Sequence, residues 1–169
     1  EAQDNYALTS LENSLSAQKS GAFENEIKAI EVTDRKGIKR FVGLDEQPQN
    51  AQPDKIPNLK PAFRANGTVT AANSSSISDG GAALILASKI YAENEGLPKR
   101  ARIMGHSSYA HAPGLFTTAP IYAVKKLLKS INWSIEMVDL WEVNEAFAVV
   151  PMAFMQESVS YTHLRAHET

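Results

Sequence analysis

A chain of 169 residues is long enough for one ordinary domain, and its 43% apolar content can supply a core. A formal net charge of −2 argues against a general polyanion binder, and no apolar run approaches the ~18 residues of a membrane span. The chain has no cysteine, which excludes disulfides, zinc–thiolate sites and cysteine nucleophiles within it.

Residues 1–20 read as an amphipathic helix. Leu8, Leu11 and Leu15 recur at spacings of three and four, and Gly21 stands where a C-terminal cap would. The opening Glu1-Ala2-Gln3-Asp4 has no Met and no signal peptide and suits the first turn of a helix, so the chain is expected to be an internal piece of a longer protein. Ile27, Ile30 and Val32, then Ile38, Phe41 and Val42, flank Asp34-Arg35-Lys36-Gly37 in the pattern of a β-hairpin. Four prolines, Pro48, Pro53, Pro57 and Pro61, make residues 45–61 a polar connection without expected regular structure.

The Ser/Gly-rich stretch from Asn73 to Gly81 leads into the apolar run Ala82–Ala87. A run this short fits a buried strand, and a helix starting at Asp79 competes with it, because periodicity cannot separate the two over six residues. Ser88–Glu95 reads as helix closed by Gly96 and Pro98, and Ala101–Met104 as a short strand. Thr118–Lys129 reads as a helix capped by Thr118, with Pro120 in its first turn. Ile121, Val124 and Leu128 share one face, and Lys125, Lys126 and Lys129 lie near the C-terminus. Val138–Val143 is a strand candidate, and Asn144 is placed to cap a last helix through Ala146–Glu157. Alternation of strand and helix from residue 82 indicates an α/β fold with a parallel or mixed sheet and packed helices. Such sheets bind ligands beyond the carboxyl ends of their strands, where Asn144 and the loop after Met104 lie.

Two stretches carry a specific resemblance. One runs from Leu59-Lys60-Pro61-Ala62-Phe63-Arg64 through Gly67-Thr68-Val69-Thr70-Ala71 to Asn73, Ser75 and Asp79-Gly80. The other is Trp141-Glu142-Val143-Asn144-Glu145-Ala146-Phe147-Ala148. With Ala119-Pro120-Ile121 between them and Gln3-Asp4, Tyr6-Ala7 and Ser10 ahead, the chain resembles the thiolase family, in order, over roughly residues 1–157. The resemblance implies part of a layered α/β/α/β/α fold. Residues 1–74 would belong to a loop domain, 75–98 to the end of the N-terminal half and 99–157 to the start of the C-terminal half. A chain completing none of these units is expected to be poorly stable alone. Residues 158–169 do not continue the pattern and are expected to be an artefactual tail. His163 and His167 there have ligand-like spacing but no third ligand, so no metal site is expected.

The resemblance further implies acyl-CoA C-acyltransferase chemistry of the acetyl-CoA acetyltransferase type. Two acetyl-CoA condense to acetoacetyl-CoA, or a 3-ketoacyl-CoA is cleaved by thiolysis. The coenzyme A thioesters are substrates, and no separate cofactor is expected. The family's nucleophilic cysteine, its activating histidine in a Gly-His-Pro segment and its second cysteine are absent, so the chain alone is expected to be inactive. Asn144 would hold a water that donates into an oxyanion hole, a task that suits a neutral carboxamide, beside or instead of its reading as a helix cap. Glu145 is either a charge at a helix N-terminus or a supporting partner of Asn144. Phe147 is either packed under the coenzyme A arm or a core aromatic. Ala71 and Ser75 match residues beside coenzyme A, against the reading as a plain turn.

Phe116 falls where relatives line the acyl pocket, and a ring there favours short acyl chains. Ala72 and Ser76 replace family glycines and would be strained at positive φ. Ser78 replaces an asparagine, and Gln49 stands about where many relatives have an arginine. His106, His111 and the cluster Lys99-Arg100-Arg102 could border the cleft or be solvated surface. A homodimer or homotetramer is implied by family, with no nucleic acid and no membrane span. Cytoplasmic location is the expectation, with mitochondria or peroxisomes open for a eukaryotic source. The alternative is a noncatalytic acyl-CoA-binding or scaffold protein built on the same fold.

Overall fold

The structure, a computed structural model, describes residues 1–158. The chain opens with α1 (Ala2–Ser20), closed by Gly21 at φ 70°, whose N–H reaches back to the carbonyls of Ala17 and Gln18. Strands β1 (Ile30–Thr33) and β2 (Lys39–Val42) pair antiparallel, Ile30 opposite Val42 and Thr33 opposite Lys39. Their turn is built as the residue types require. The Asp34 carboxylate accepts from the N–H groups of Lys36 (2.8 Å) and Ile38 (2.9 Å), and Gly37 takes φ 81°.

The proline-rich connection departs from expectation. It holds a short helix, α2 (Glu46–Asn50), and a 3₁₀ turn at Pro53–Asn58. Asp45 caps α2 by accepting from the Gln47 N–H, with Pro48 in its first turn, and Pro53 opens the 3₁₀ turn, where a missing N–H costs nothing, while Pro57 lies inside that turn.

Helix α3 (Lys89–Asn94) is capped by Ser88, which accepts from the Tyr91 N–H. After a 3₁₀ turn at Pro113–Thr118 comes α4 (Ala119–Ile131), then a 3₁₀ turn at Ile135–Met137 and α5 (Val149–Ser158). Thr118 does not cap α4; its hydroxyl donates to the Leu115 carbonyl, because the preceding 3₁₀ turn runs directly into the helix. Asn132 ends α4 at φ 55°, its N–H on the carbonyls of Leu128 and Lys129.

The anticipated face of α4 is the one that packs. Ile121, Trp141 and Phe154 form the core, with Val124, Leu128, Ile135, Val138, Val143 and Ala153 against them. The Trp141 and Phe154 rings lie 5.3 Å apart. Each large apolar side chain buried this way contributes about 1.5–3 kcal/mol.

The other strand candidates, Ala82–Ala87, Ala101–Met104 and Val138–Val143, pair with nothing among the described residues, and no helix starts at Asp79. Ladder partners come from elsewhere in sequence, and a run of apolar residues cannot supply its own. Leu84, Ile85 and Leu86 accordingly face outward. The segment after Met104 does dock. Gly105 lies so close to α4 that a Cβ would stand 2.9 Å from Ile131, and the Ser107 hydroxyl donates to the Ala123 carbonyl at 2.6 Å. Except for Ser158 at the end of α5, the tail reading and the His163–His167 pair lie outside the described residues.

Candidate functional site

The two motif stretches, some seventy residues apart, meet at a single bridge. Ser74 and Phe147 form an antiparallel bridge. The Ser75 N–H donates to the Ala146 carbonyl (3.0 Å) and the Ala148 N–H to the Asn73 carbonyl (2.9 Å). Pairing here is why Asn144 does not cap the last helix: residues 146–148 are committed to this bridge, and α5 begins only at Val149.

Asn73 locks one side. It is buried, and its amide nitrogen donates to Asp4 Oδ1 and to the Thr68 carbonyl (3.0 Å each), while its oxygen accepts from the Thr70 N–H at 2.8 Å. A buried carboxamide with its bonds made costs little, whereas one left open costs about 1–3 kcal/mol.

Glu145 locks the other side. The Tyr6 hydroxyl donates to its Oε1 (2.7 Å) and the Ser10 hydroxyl to its Oε2 (2.8 Å). Burial, then the bond to the Glu145 carboxylate, push the Tyr6 phenol well above its ordinary pKa, so it stays a donor across the ordinary pH range. The Ser75 hydroxyl donates to the main-chain carbonyl of Glu145 at 2.8 Å.

Ala71, Ser75, Asn144 and Glu145 line one open hollow of about 620 Å³, whose remaining walls are α1, α2 and the 3₁₀ turn at Pro53–Asn58. Asn144 is exposed in it. Ala72 and Ser76 also line it and are not at positive φ, so the feared strain is absent; Asn132 is the one such non-glycine among the described residues. The Ser76 and Ser78 hydroxyls bond each other at 2.9 Å.

Phe116 and Phe147 are not part of this hollow. Phe147 instead stands between Phe63 and Phe116, each ring centre 6.3 Å away and edge-on. Phe63, named in sequence only as part of a motif, thereby joins the two expected aromatics. Gln49 bonds Gln18 on α1 at 3.2 Å. His106 is exposed and outside the hollow. His111 accepts from the Ala112 N–H and packs edge-on against Tyr109 and Tyr122, which stack at 4.9 Å. Lys99 pairs with Glu93 at 3.4 Å on the exposed surface. Among the described residues no cluster of three or more His, Cys, Asp or Glu could hold a metal ion, and no helix is long and apolar enough to cross a membrane.

Sequence reasoning passed over Tyr6, Ser10 and Asn73 as site residues. All three stand in the stretches that carry the thiolase resemblance, and the spacing of four between Tyr6 and Ser10 puts two hydroxyls on one face of α1.

The chain matches the thiolase N-terminal domain over residues 1–90 and the thiolase C-terminal domain over residues 97–163. An acetyl-CoA acetyltransferase of Arabidopsis thaliana is 44% identical over 155 residues, which is 90% of this chain and 38% of that protein. The crystal structure of the Bacillus anthracis acetyl-CoA acetyltransferase superposes with a TM-score of 0.89 at 37% identity, covering 96% of this chain and 41% of the other. A thiolase of Ascaris suum, solved in complex with coenzyme A, superposes with a TM-score of 0.86 at 35% identity, covering the same shares. The chain thus spans about two fifths of the length of the relatives it matches. Similar acetyl-CoA acetyltransferases include one named cytosolic, from mouse, and one named mitochondrial, from cattle.

Proposed function

Since the chain belongs to the thiolase family, we propose that it carries the coenzyme A-facing wall of an acyl-CoA acyltransferase site. The reaction is the condensation of two acetyl-CoA to acetoacetyl-CoA, or thiolysis of a 3-ketoacyl-CoA. The observation that carries this reading is the pairing of Asn73–Ser75 with Ala146–Ala148, through which Ser75 and Asn144 line one hollow.

Negative charge develops on a thioester oxygen in both stages of such a reaction, and fixed donors must meet it. The Asn144 carboxamide serves by orienting a water toward that oxygen; it is neutral and does not titrate. The Ser75 proton is engaged by the Glu145 carbonyl, so its oxygen meets a ligand as an acceptor, suited to an amide N–H of the pantetheine arm. Ala71 leaves room for that arm. The aromatic trio of Phe63, Phe116 and Phe147, outside the hollow, supplies a separate apolar surface for a short acyl group.

The nucleophile is a thiolate that this chain does not contain, so alone it binds without turning over. The reaction as proposed needs no cofactor beyond its substrates. By family the assembled enzyme is a dimer or tetramer, in the cytoplasm or an organelle.

Titration of coenzyme A into the ¹⁵N-labelled chain tests the reading. Resonance shifts are expected at Ala71, Ser75 and Asn144, with no thiolysis of acetoacetyl-CoA. Shifts confined to other surfaces would end the proposal, and turnover would refute the expected inactivity.

A further inference from the structure

Asn144 is exposed, so its own packing does not hold it. The residue after it, by contrast, is fixed twice. The Glu145 side chain receives one hydroxyl on each carboxylate oxygen, from Tyr6 at 2.7 Å and from Ser10 at 2.8 Å, across separations of 139 and 135 residues. Its main-chain carbonyl receives the Ser75 hydroxyl at 2.8 Å. Two donors on two oxygens prevent the carboxylate from rotating, and bonds to a charged acceptor are the stronger kind.

We propose that Tyr6 and Ser10 are positioning residues for Asn144, acting through the Glu145 carboxylate that their hydroxyls hold. The proposal rests on the acyl-CoA reading above for the purpose of that positioning. Tyr6 and Ser10 lie one turn apart on α1, so a rigid helix presents both hydroxyls as a unit. The Cα of Glu145 and the peptide that follows it are then held before any ligand arrives, and the chain leading back to the carboxamide of Asn144 starts from that held point. Preorganisation of this kind matters because an orienting group misplaced by a fraction of an ångström loses its effect. The clamp needs the carboxylate charged and the phenol neutral, which the raised pKa of Tyr6 favours.

The test uses the complete chain, labelled with ¹⁵N, with coenzyme A as the probe. In the double variant Tyr6→Phe/Ser10→Ala, the backbone order parameter at Asn144 and Glu145 is expected to fall from about 0.85 to below about 0.6. Coenzyme A binding should weaken about tenfold, equivalent to about 1.4 kcal/mol. The hairpin at 30–42 and the signals of Phe154 should not change. Ser10→Thr keeps a hydroxyl and should keep wild-type order and affinity.

An unmoved Asn144 in the double variant overturns the proposal. Should the double variant fail to fold, the single variants Tyr6→Phe and Ser10→Ala decide: loosening confined to 144–146 supports positioning, and loosening shared equally with the α4–α5 core reduces the pair to ordinary packing and overturns it. A wild-type chain that does not take up coenzyme A defeats the acyl-CoA reading, while the order parameters still report whether the hydroxyl pair holds Asn144.

Discussion

The α4–α5 core and the run from Ile77 to Ala87 are built from similar residues and end in opposite environments. Ile121 and Phe154 are 4% and 1% exposed; Ile77 and Ile85 are 106% and 97% exposed. The difference lies in where the partners are. Helix α4 satisfies its own backbone and needs only a facing apolar surface, which Trp141 and Phe154 bring from within the next few dozen residues. A strand satisfies neither its backbone nor its faces alone, and the 82–87 run meets no ladder partner among the described residues. Apolar composition therefore states a demand for burial and leaves open what meets it.

The largest expected effect breaks this contrast directly. Phe154→Ala should cost about 3–5 kcal/mol through the cavity it leaves, whereas Ile85→Ser should stay within about 0.5 kcal/mol. Urea unfolding of both variants measures the difference, and equal costs would mean that the 82–87 run is packed after all.

A smaller effect sharpens the picture at the hollow. Asn73→Ala removes the bonds to Asp4, Thr68 and Thr70 from a buried position and should cost about 1–3 kcal/mol. Amide exchange at Ser75 and Ala148, whose N–H groups bridge the two segments, should accelerate while Trp141 keeps its native fluorescence. Unchanged exchange there would show that the bridge stands without Asn73.

The smallest effect is a pH limb. The folded Tyr6 phenol titrates above its ordinary value of 10.0, so the unfolded chain gives up that proton first. The stabilisation is complete below about pH 10 and is lost as pH rises beyond it. In Tyr6→Phe the alkaline fall in melting temperature should be shallower; an identical fall would assign it to other groups.

Much of the helical structure was legible. The spacing of Ile121, Val124 and Leu128 named the face of α4 that packs, Gly21 marked the end of α1, and Asp34–Gly37 marked the hairpin turn. Each rests on interactions within a few residues. Two short turns in the proline-rich connection were missed because proline that interrupts a helix can also begin one. At the hollow, the association of Ala71, Ser75, Asn144 and Glu145 was expected from the thiolase resemblance and from no periodicity, while Phe116 and Phe147 went to an aromatic wall with Phe63.

The amino-acid order alone determined the family, the face of α4 whose apolar residues recur every three or four positions, and the lack of a cysteine within these residues, because these depend on residue identity and near neighbours. The leucine face expected on α1 is not one of them, since Leu15 is exposed and only Ala17 of that helix is buried. Tertiary structure alone decided that residues 146–148 would pair with Asn73–Ser75 instead of extending α5, and that hydroxyls from α1 would grip Glu145. Those contacts join residues some 70 to 140 positions apart, and nothing local distinguishes a side chain that will find such a partner from one that will remain in water.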